Sequence, residues 1–490
     1  MGRYLGAWVA VMAVRLLYYA ILPHLYKGMG LQLMPSLTAV RYGFRTLAAD
    51  TAAPHIPAFL PYQPYYFQQL GYWNPDAPSY FYPFLQAQRC LSRSGELSCL
   101  QHICAYYRTP GYGIWGLAYL PLARWLSIQE VLILLQLFLG GLAALAFGDT
   151  VERLTGNPRL FWLGALSYGS FPFIVRYEFV MGSEGLFHSF LTGALWAFAR
   201  SGGVSHRWLV LAGLLLTEAI LIRPIGVALL PVVVGWVAWA SRSVSRVLLT
   251  LAPLLVFEVF WLPCTWRAYG RPTPLQPTIW TPGIDSTEWR RTFEWLDAFG
   301  EMPVHFFYSR YKLPERAYTT AFGPSAEKTL IALRHTLARG DSSAILPIAR
   351  LTGAWRTSLR QEKPFLYFGL RFLYLTWHFF TCHWAEQLIY TPIWTTGIYG
   401  LLYGYSALLW GFWVIGGLIG SGFYLWRWRQ APFLAAVALG AHLAWLGHLW
   451  AGTLQSRYFL FPLIPFGLLA FCWTERTFGR EKCVYLTHVR

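Results

Sequence analysis

Repeated apolar runs of near-membrane length, joined by short turns that carry arginine, constrain this chain more than any other feature. The runs fall at about 5–25, 128–148, 159–175, 183–199, 208–222, 224–240, 247–263, 398–426, 431–450 and 458–474. Crossing the hydrocarbon core of a bilayer takes about 20 apolar residues in a helix. Ordinary soluble domains carry about 25% charged residues, whereas this chain carries 12% and is 56% hydrophobic. The expectation is an all-α polytopic membrane protein with about ten transmembrane helices.

Orientation follows from where the cations fall. With the N-terminus inside, Arg153, Arg159, Arg200, His206, Arg207, Arg242, Arg246, Arg427 and Arg429 all lie in inner turns, as does the tail with Arg476, Arg480 and Lys482. That satisfies the positive-inside rule. It requires that the short Gly- and Pro-containing run 110–126 does not cross, so it is read as a juxtamembrane or re-entrant helix. Arg3 precedes the first apolar run and no small-residue cleavage site follows, so the N-terminus reads as an uncleaved signal anchor.

Two long segments then face outside, 27–127 and 264–397. The chain divides into a seven-span module at 1–263, an outer helical region at 264–397, and C-terminal spans with a basic tail at 398–490. Within the second outer segment, 326–339 and 345–360 read as helices. Residues 364–381, aromatic and apolar around Arg371, read as an amphipathic helix in the outer interface, with a spanning helix as the runner-up.

The net charge of +17 suits attraction to anionic membrane lipid. No basic run stands free of the membrane segments, so nucleic acid is not an expected partner. The 25 Trp and 30 Tyr suit interfacial belts, and aromatic faces also pack on sugar rings. Seven cysteines lack CxxC spacing, and a disulfide between two of Cys90, Cys99 and Cys104 fits their closeness on an outer loop. GxGxxG, Walker A and nucleophile-elbow motifs are absent, which argues against an ATP-driven pump.

Ionisable residues at membrane depth are costly and mark candidate sites. Asp76, followed by Pro78 and Tyr80, could act as a general base on an acceptor hydroxyl or amine, or could simply cap a helix. Glu184 opens a span after Arg176 and Glu178, where the helix dipole favours a carboxylate. Arg108, Arg223 and Arg457 fall on the outer side. Guanidiniums grip phosphate bidentately, although each alone could snorkel to lipid. Arg15, in the first span, is expected to face the bundle and to pair with Glu218 or Glu258. His188 reads as a satisfied internal polar group. His102, His378 and His383 have no metal-site spacing, so a divalent metal is left open and no cofactor is assigned.

The ordered set of motifs resembles the GT-C superfamily of integral membrane glycosyltransferases, which includes protein O-mannosyltransferases and lipid A aminoarabinose transferases. The set is Asp76 to Tyr80, Arg108 to Tyr112, Arg176 to Glu184, Leu221 to Pro224, Trp261 to Arg267, and Arg457 and Tyr458 running to Pro462. The resemblance implies inverting transfer of a sugar from a polyprenyl-phosphate donor to a glycan, lipid or protein acceptor. It places that transfer on the outer face of a membrane such as the bacterial plasma membrane. It implies Asp76 as base, Glu184 as a second acidic group, and Arg108, Arg223 and Arg457 on the donor phosphate, with Tyr80, Arg176, Glu178 and Tyr458 in support. The stretch 49–73, rich in Pro and Tyr, departs from the family pattern on the acceptor side. A flippase of lipid-linked sugars is a rival reading, and so is a glycan polymerase or ligase. The crowding of polar groups on the outer side favours the transferase.

Overall fold

A computed structural model describes residues 2–28, 93–100, 109–116, 128–179, 182–269, 397–451 and 459–478, with isolated positions elsewhere. The described elements are helical and include no strand. The longer helices are α1 (Gly2–Gly28), α2 (Gly111–Gly116), α3 (Ile128–Thr155), α4 (Arg159–Ser170), α5 (Ser183–Ser201), α6 (His206–Ile222), α7 (Leu230–Ser241), α8 (Val244–Tyr269), α9 (Gly397–Trp426), α10 (Pro432–Ala451) and α11 (Leu460–Phe478). Among the described residues, four helical stretches are long and apolar enough to cross a membrane, namely Val131–Thr155, Pro224–Ser241, Val244–Arg267 and Gly400–Trp426. The protein is membrane-embedded. Residues 27–127 and 264–397, the two expected outer segments, lie largely outside the described residues, as does 364–381.

Local sequence sets where helices stop. The residue before a proline is pushed out of the α region. Arg223, before Pro224, is extended at φ −143° and ψ 117°, and α6 ends at Ile222. Phe171, before Pro172, has φ −67° and ψ 109°, and α4 ends at Ser170. A helical turn at Pro172–Val175 and a tight 3-10 turn at Arg176–Glu178 then lead toward α5.

One apolar core joins the helices before residue 270 to those after 396. Trp413 of α9 stacks on Phe147 of α3 with ring centroids 5.1 Å apart, and its Nε1 donates to Ser167 Oγ of α4 at 3.0 Å. Trp410 sits edge-on to Phe173 at 4.8 Å and beside Phe459 at 4.5 Å. Both indoles are fully buried. In lipid such close packing, rather than exclusion of water, drives helix association.

The bundle has two chemically different ends. At one, Tyr4 Oη donates to Asp149 Oδ1 at 2.6 Å, and Arg200 grips the same carboxylate through Nε at 2.9 Å and Nη2 at 3.0 Å. Arg3 pairs with Glu152 at 2.9 Å, and Asn157 Nδ2 donates to Glu475 at 3.1 Å. The helix ends and turns bearing Arg153, Arg159, His206, Arg207, Arg242, Arg427 and Arg429 lie at this end. The opposite end holds α2, the Arg176–Glu178 turn, the start of α5 and the end of α6. At that opposite end Tyr112 of α2 meets Gln136 of α3, and residues 117–127 lie outside the described residues.

Candidate functional site

α2 lies along the last turns of α6. Thr109 Oγ1 donates to the carbonyl of Ile222 at 3.1 Å, and Trp115 Nε1 donates to Glu218 Oε2 at 3.3 Å. Glycine permits this approach. A Cβ on Gly111 would come within 2.6 Å of the Leu221 carbonyl carbon. The Trp115 ring also lies 5.2 Å from Phe190 of α5, so α2 is wedged between α5 and α6. From α3, Gln136 Oε1 accepts from Tyr112 Oη at 3.3 Å, while its Nε2 donates to the Glu178 carbonyl at 2.8 Å.

Against this wedge stands an ion pair. Arg223 Nη1 bonds Glu184 Oε1 and also reaches Ser183 Oγ at 3.4 Å. The Arg223 side chain is 14% exposed and that of Glu184 4%. The Pro224-imposed extended backbone takes Arg223 out of the α6 helical line. Glu184 occupies the first turn of α5, where the N–H groups lack helical partners and the dipole favours a negative charge. A carboxylate and a guanidinium are thus held together where α2 packs on the end of α6. Such a pair can orient an arginine fork for a phosphate or accept a hydrogen bond from a hydroxyl-bearing ligand.

A second pair lies deeper. Arg15 Nε donates to Glu178 Oε2 at 2.7 Å and Nη2 to Glu178 Oε1 at 2.9 Å. The same guanidinium caps the Gly169 carbonyl at 2.8 Å and the Gly140 carbonyl at 3.1 Å. Both side chains are fully enclosed. Gly140 is required here, because a Cβ would overlap the Glu178 carboxylate. The expected partners of Arg15, Glu218 and Glu258, are therefore replaced by Glu178. The 3-10 turn carries Glu178 inward over the notch at Gly140, while Glu218 sits on α6 beside α2. His188 Nδ1 meets Tyr168 Oη at 2.7 Å, and its Nε2 lies 3.8 Å from Glu178 Oε1 without a hydrogen-bond partner among the described residues.

Of the sequence-predicted residues, Glu184 and Arg223 are brought together. Arg176 is held by its own turn, with Nη2 on Tyr177 Oη at 2.7 Å and its guanidinium 4.7 Å from the Phe173 ring. Glu178 is engaged by Arg15. Asp76, Tyr80, Arg108, Arg457 and Tyr458 lie outside the described residues. Sequence reasoning missed Gln136, Trp115 and the tie to Glu218. Gln136 could have been found, because it is a lone amide inside the apolar run of α3. Trp115 could not, being one of 25 tryptophans with no distinguishing spacing.

Cys90 and Cys99 form a disulfide on the chain between α1 and α2, and Cys264 near the end of α8 is also disulfide-bonded. Among the described residues no group of three or more His, Cys, Asp or Glu is placed to hold a metal ion. No protein-family model, no curated protein and no solved structure matches the chain.

Proposed function

We propose that this protein is a membrane glycosyltransferase of the GT-C type. It would cross the membrane about ten times and transfer a sugar, with inversion, from a polyprenyl-phosphate donor to a glycan, lipid or protein acceptor. The site faces the exterior of a bacterial plasma membrane. The observation that carries the reading is the Glu184–Arg223 pair beneath α2, at the end of the bundle opposite the arginine-bearing turns. Two further features support it. The disulfides lie in chain segments attached to that same end, and disulfides persist in oxidising compartments. The motif order also resembles that of the family.

The chemistry balances simply. Asp76 takes the proton from the acceptor O–H or N–H as that atom bonds to the anomeric carbon from the face opposite the phosphate. The bond from the anomeric carbon to the phosphate oxygen breaks, and the polyprenyl phosphate leaves with the electron pair. Arg223, with Arg108 and Arg457, stabilises the charge growing on that leaving group. Glu184 fixes the direction of the Arg223 fork, a narrower role than acid–base work. Tyr80 and Tyr458 are assigned to support at the same face.

The test is reconstitution into proteoliposomes with a panel of polyprenyl-phosphate sugars and envelope extract as acceptor. Wild-type protein transfers sugar, and Asp76→Asn does not while remaining monodisperse. Absence of transfer by wild-type protein from every donor, or full transfer by Asp76→Asn, overturns the reading or its base, respectively.

A further inference from the structure

A second polar level lies beneath the Glu184–Arg223 pair. α5 starts at the end of the bundle where α6 finishes, so the two helices run in opposite directions there. Six residues on from Glu184, Phe190 meets the Trp115 ring. Five residues before Arg223, Glu218 accepts from Trp115 Nε1. Helical rise puts Phe190 and Glu218 about 7–9 Å deeper than the ion pair.

A carboxylate at membrane depth is costly unless a cation or hydrogen-bond donors satisfy it. Among the described residues, no cation comes within ion-pair distance of Glu218, and the 3.3 Å bond from Trp115 to Oε2 is the one hydrogen bond it receives. Its Oε1 has no donor there and is not enclosed. Glu218 and Trp115 are both half-buried, and Leu214 and Ile114 beside them are 48% and 43% exposed. Glu218 is therefore open to a ligand, whereas Glu178 is sealed against Arg15. The chemistry of the opening selects that ligand. An ionised carboxylate only accepts hydrogen bonds, so it takes an O–H or N–H. The indole alongside has used its N–H and offers a flat apolar body. A ring that carries hydroxyls and apolar C–H faces matches both. A phosphate does not, because the carboxylate repels it, and Arg223 lies one level above.

We propose that Glu218 is a sugar-recognition residue: its free carboxylate oxygen accepts a hydroxyl of the donor's sugar, whose ring lies against Trp115. The inference rests on the glycosyl-transfer reading. It adds the group that tells a sugar-bearing lipid from the bare lipid phosphate.

Equilibrium binding to the full-length protein in nanodiscs tests it. The probes are polyprenyl-phosphate glucose, mannose, galactose and N-acetylglucosamine, with bare polyprenyl phosphate for comparison. Wild-type protein binds at least one sugar-bearing lipid more tightly than the bare one. Glu218→Gln keeps the tie to Trp115 through its amide oxygen but presents an NH2 donor where the free oxygen stood. It lowers the preference about 10–100-fold, the scale of one hydrogen bond to a charged group. Its affinity for bare polyprenyl phosphate stays that of the wild type, which also reports an intact fold. Trp115→Phe cuts the tie, keeps a ring, and lowers the preference less. An unchanged preference in Glu218→Gln, with the wild type still selective, overturns the inference and leaves the transferase reading standing. So does a larger loss in Trp115→Phe than in Glu218→Gln, which would make Glu218 an anchor for α2 only. Equal losses of sugar-bearing and bare lipid overturn it as well, because the residue would then act on the fold or the phosphate. A wild type that binds no sugar-bearing lipid better than the bare one overturns the transferase reading itself, and the sugar assignment with it.

Discussion

The two arginine–carboxylate pairs of this bundle use the same chemistry for different ends. Arg15–Glu178 is sealed, and its guanidinium also satisfies two backbone carbonyls from two other helices. Glu184–Arg223 sits at a helix start beside Ser183 and leaves the arginine side chain 14% exposed. The first pair has nothing left for a ligand to reach and locks α1, α3, α4 and the Arg176–Glu178 turn into one register. The second stands where α2 meets α5 and α6. Enclosure, rather than the charge pair itself, separates a structural tie from a site.

Mutation can break this contrast. The largest effect is expected at the sealed pair: Arg15→Ala or Glu178→Ala should cost about 3–5 kcal/mol, because each leaves an uncompensated buried charge. Thermal unfolding in detergent would register it. The double Arg15→Met/Glu178→Leu variant should be milder than either single change. A sealed pair that tolerates single removal would erase the distinction. Next, Arg223→Gln should lower sugar transfer about 10²–10³-fold, the scale for losing one donor to a developing charge, while the melting temperature stays near that of the wild type. Loss of folded protein instead would make this second pair structural too. Gly140→Ala pushes a Cβ into the Glu178 carboxylate and should cost about 1–3 kcal/mol, as overpacking does. An unperturbed Gly140→Ala protein would mean the notch is looser than drawn. The smallest effect is Trp115→Phe, which keeps the ring on Phe190 but loses the bond to Glu218. About 1–2 kcal/mol is expected, seen best as faster hydrogen exchange in α2 than in α6.

Much of the bundle was legible in the sequence, and particular residues show why. Arg223 could be placed at a helix end because the proline after it forbids continuation, a constraint acting between neighbours. Membrane character followed from the apolar runs. The re-entrant reading of 110–126 followed from the side on which Arg153, Arg159 and Arg200 had to fall, and residues 117–127 of that run lie outside the described residues. The candidate site was only half legible. Glu184 and Arg223 were singled out for separate reasons, one as a possible second carboxylate and the other as a phosphate contact. Their direct bond was not foreseen. The partner of Arg15 was assigned to the wrong carboxylates, because Glu218 and Glu258 lie in spans while Glu178 belongs to a turn. Depth along a helix can be counted in a sequence, but the inward bend of a 3-10 turn cannot.

By itself, the order of residues determined the membrane class, the stops of helices before Pro172 and Pro224, and the gathering of arginine-bearing turns at one end of the bundle. Those follow from length, hydropathy and neighbour effects, which act locally or as averages. Only the tertiary structure decided which arginine meets which carboxylate, and that α2 wedges between α5 and α6. Such contacts depend on helix rotation and on glycine-sized gaps at Gly111 and Gly140, where a single methyl group changes what fits.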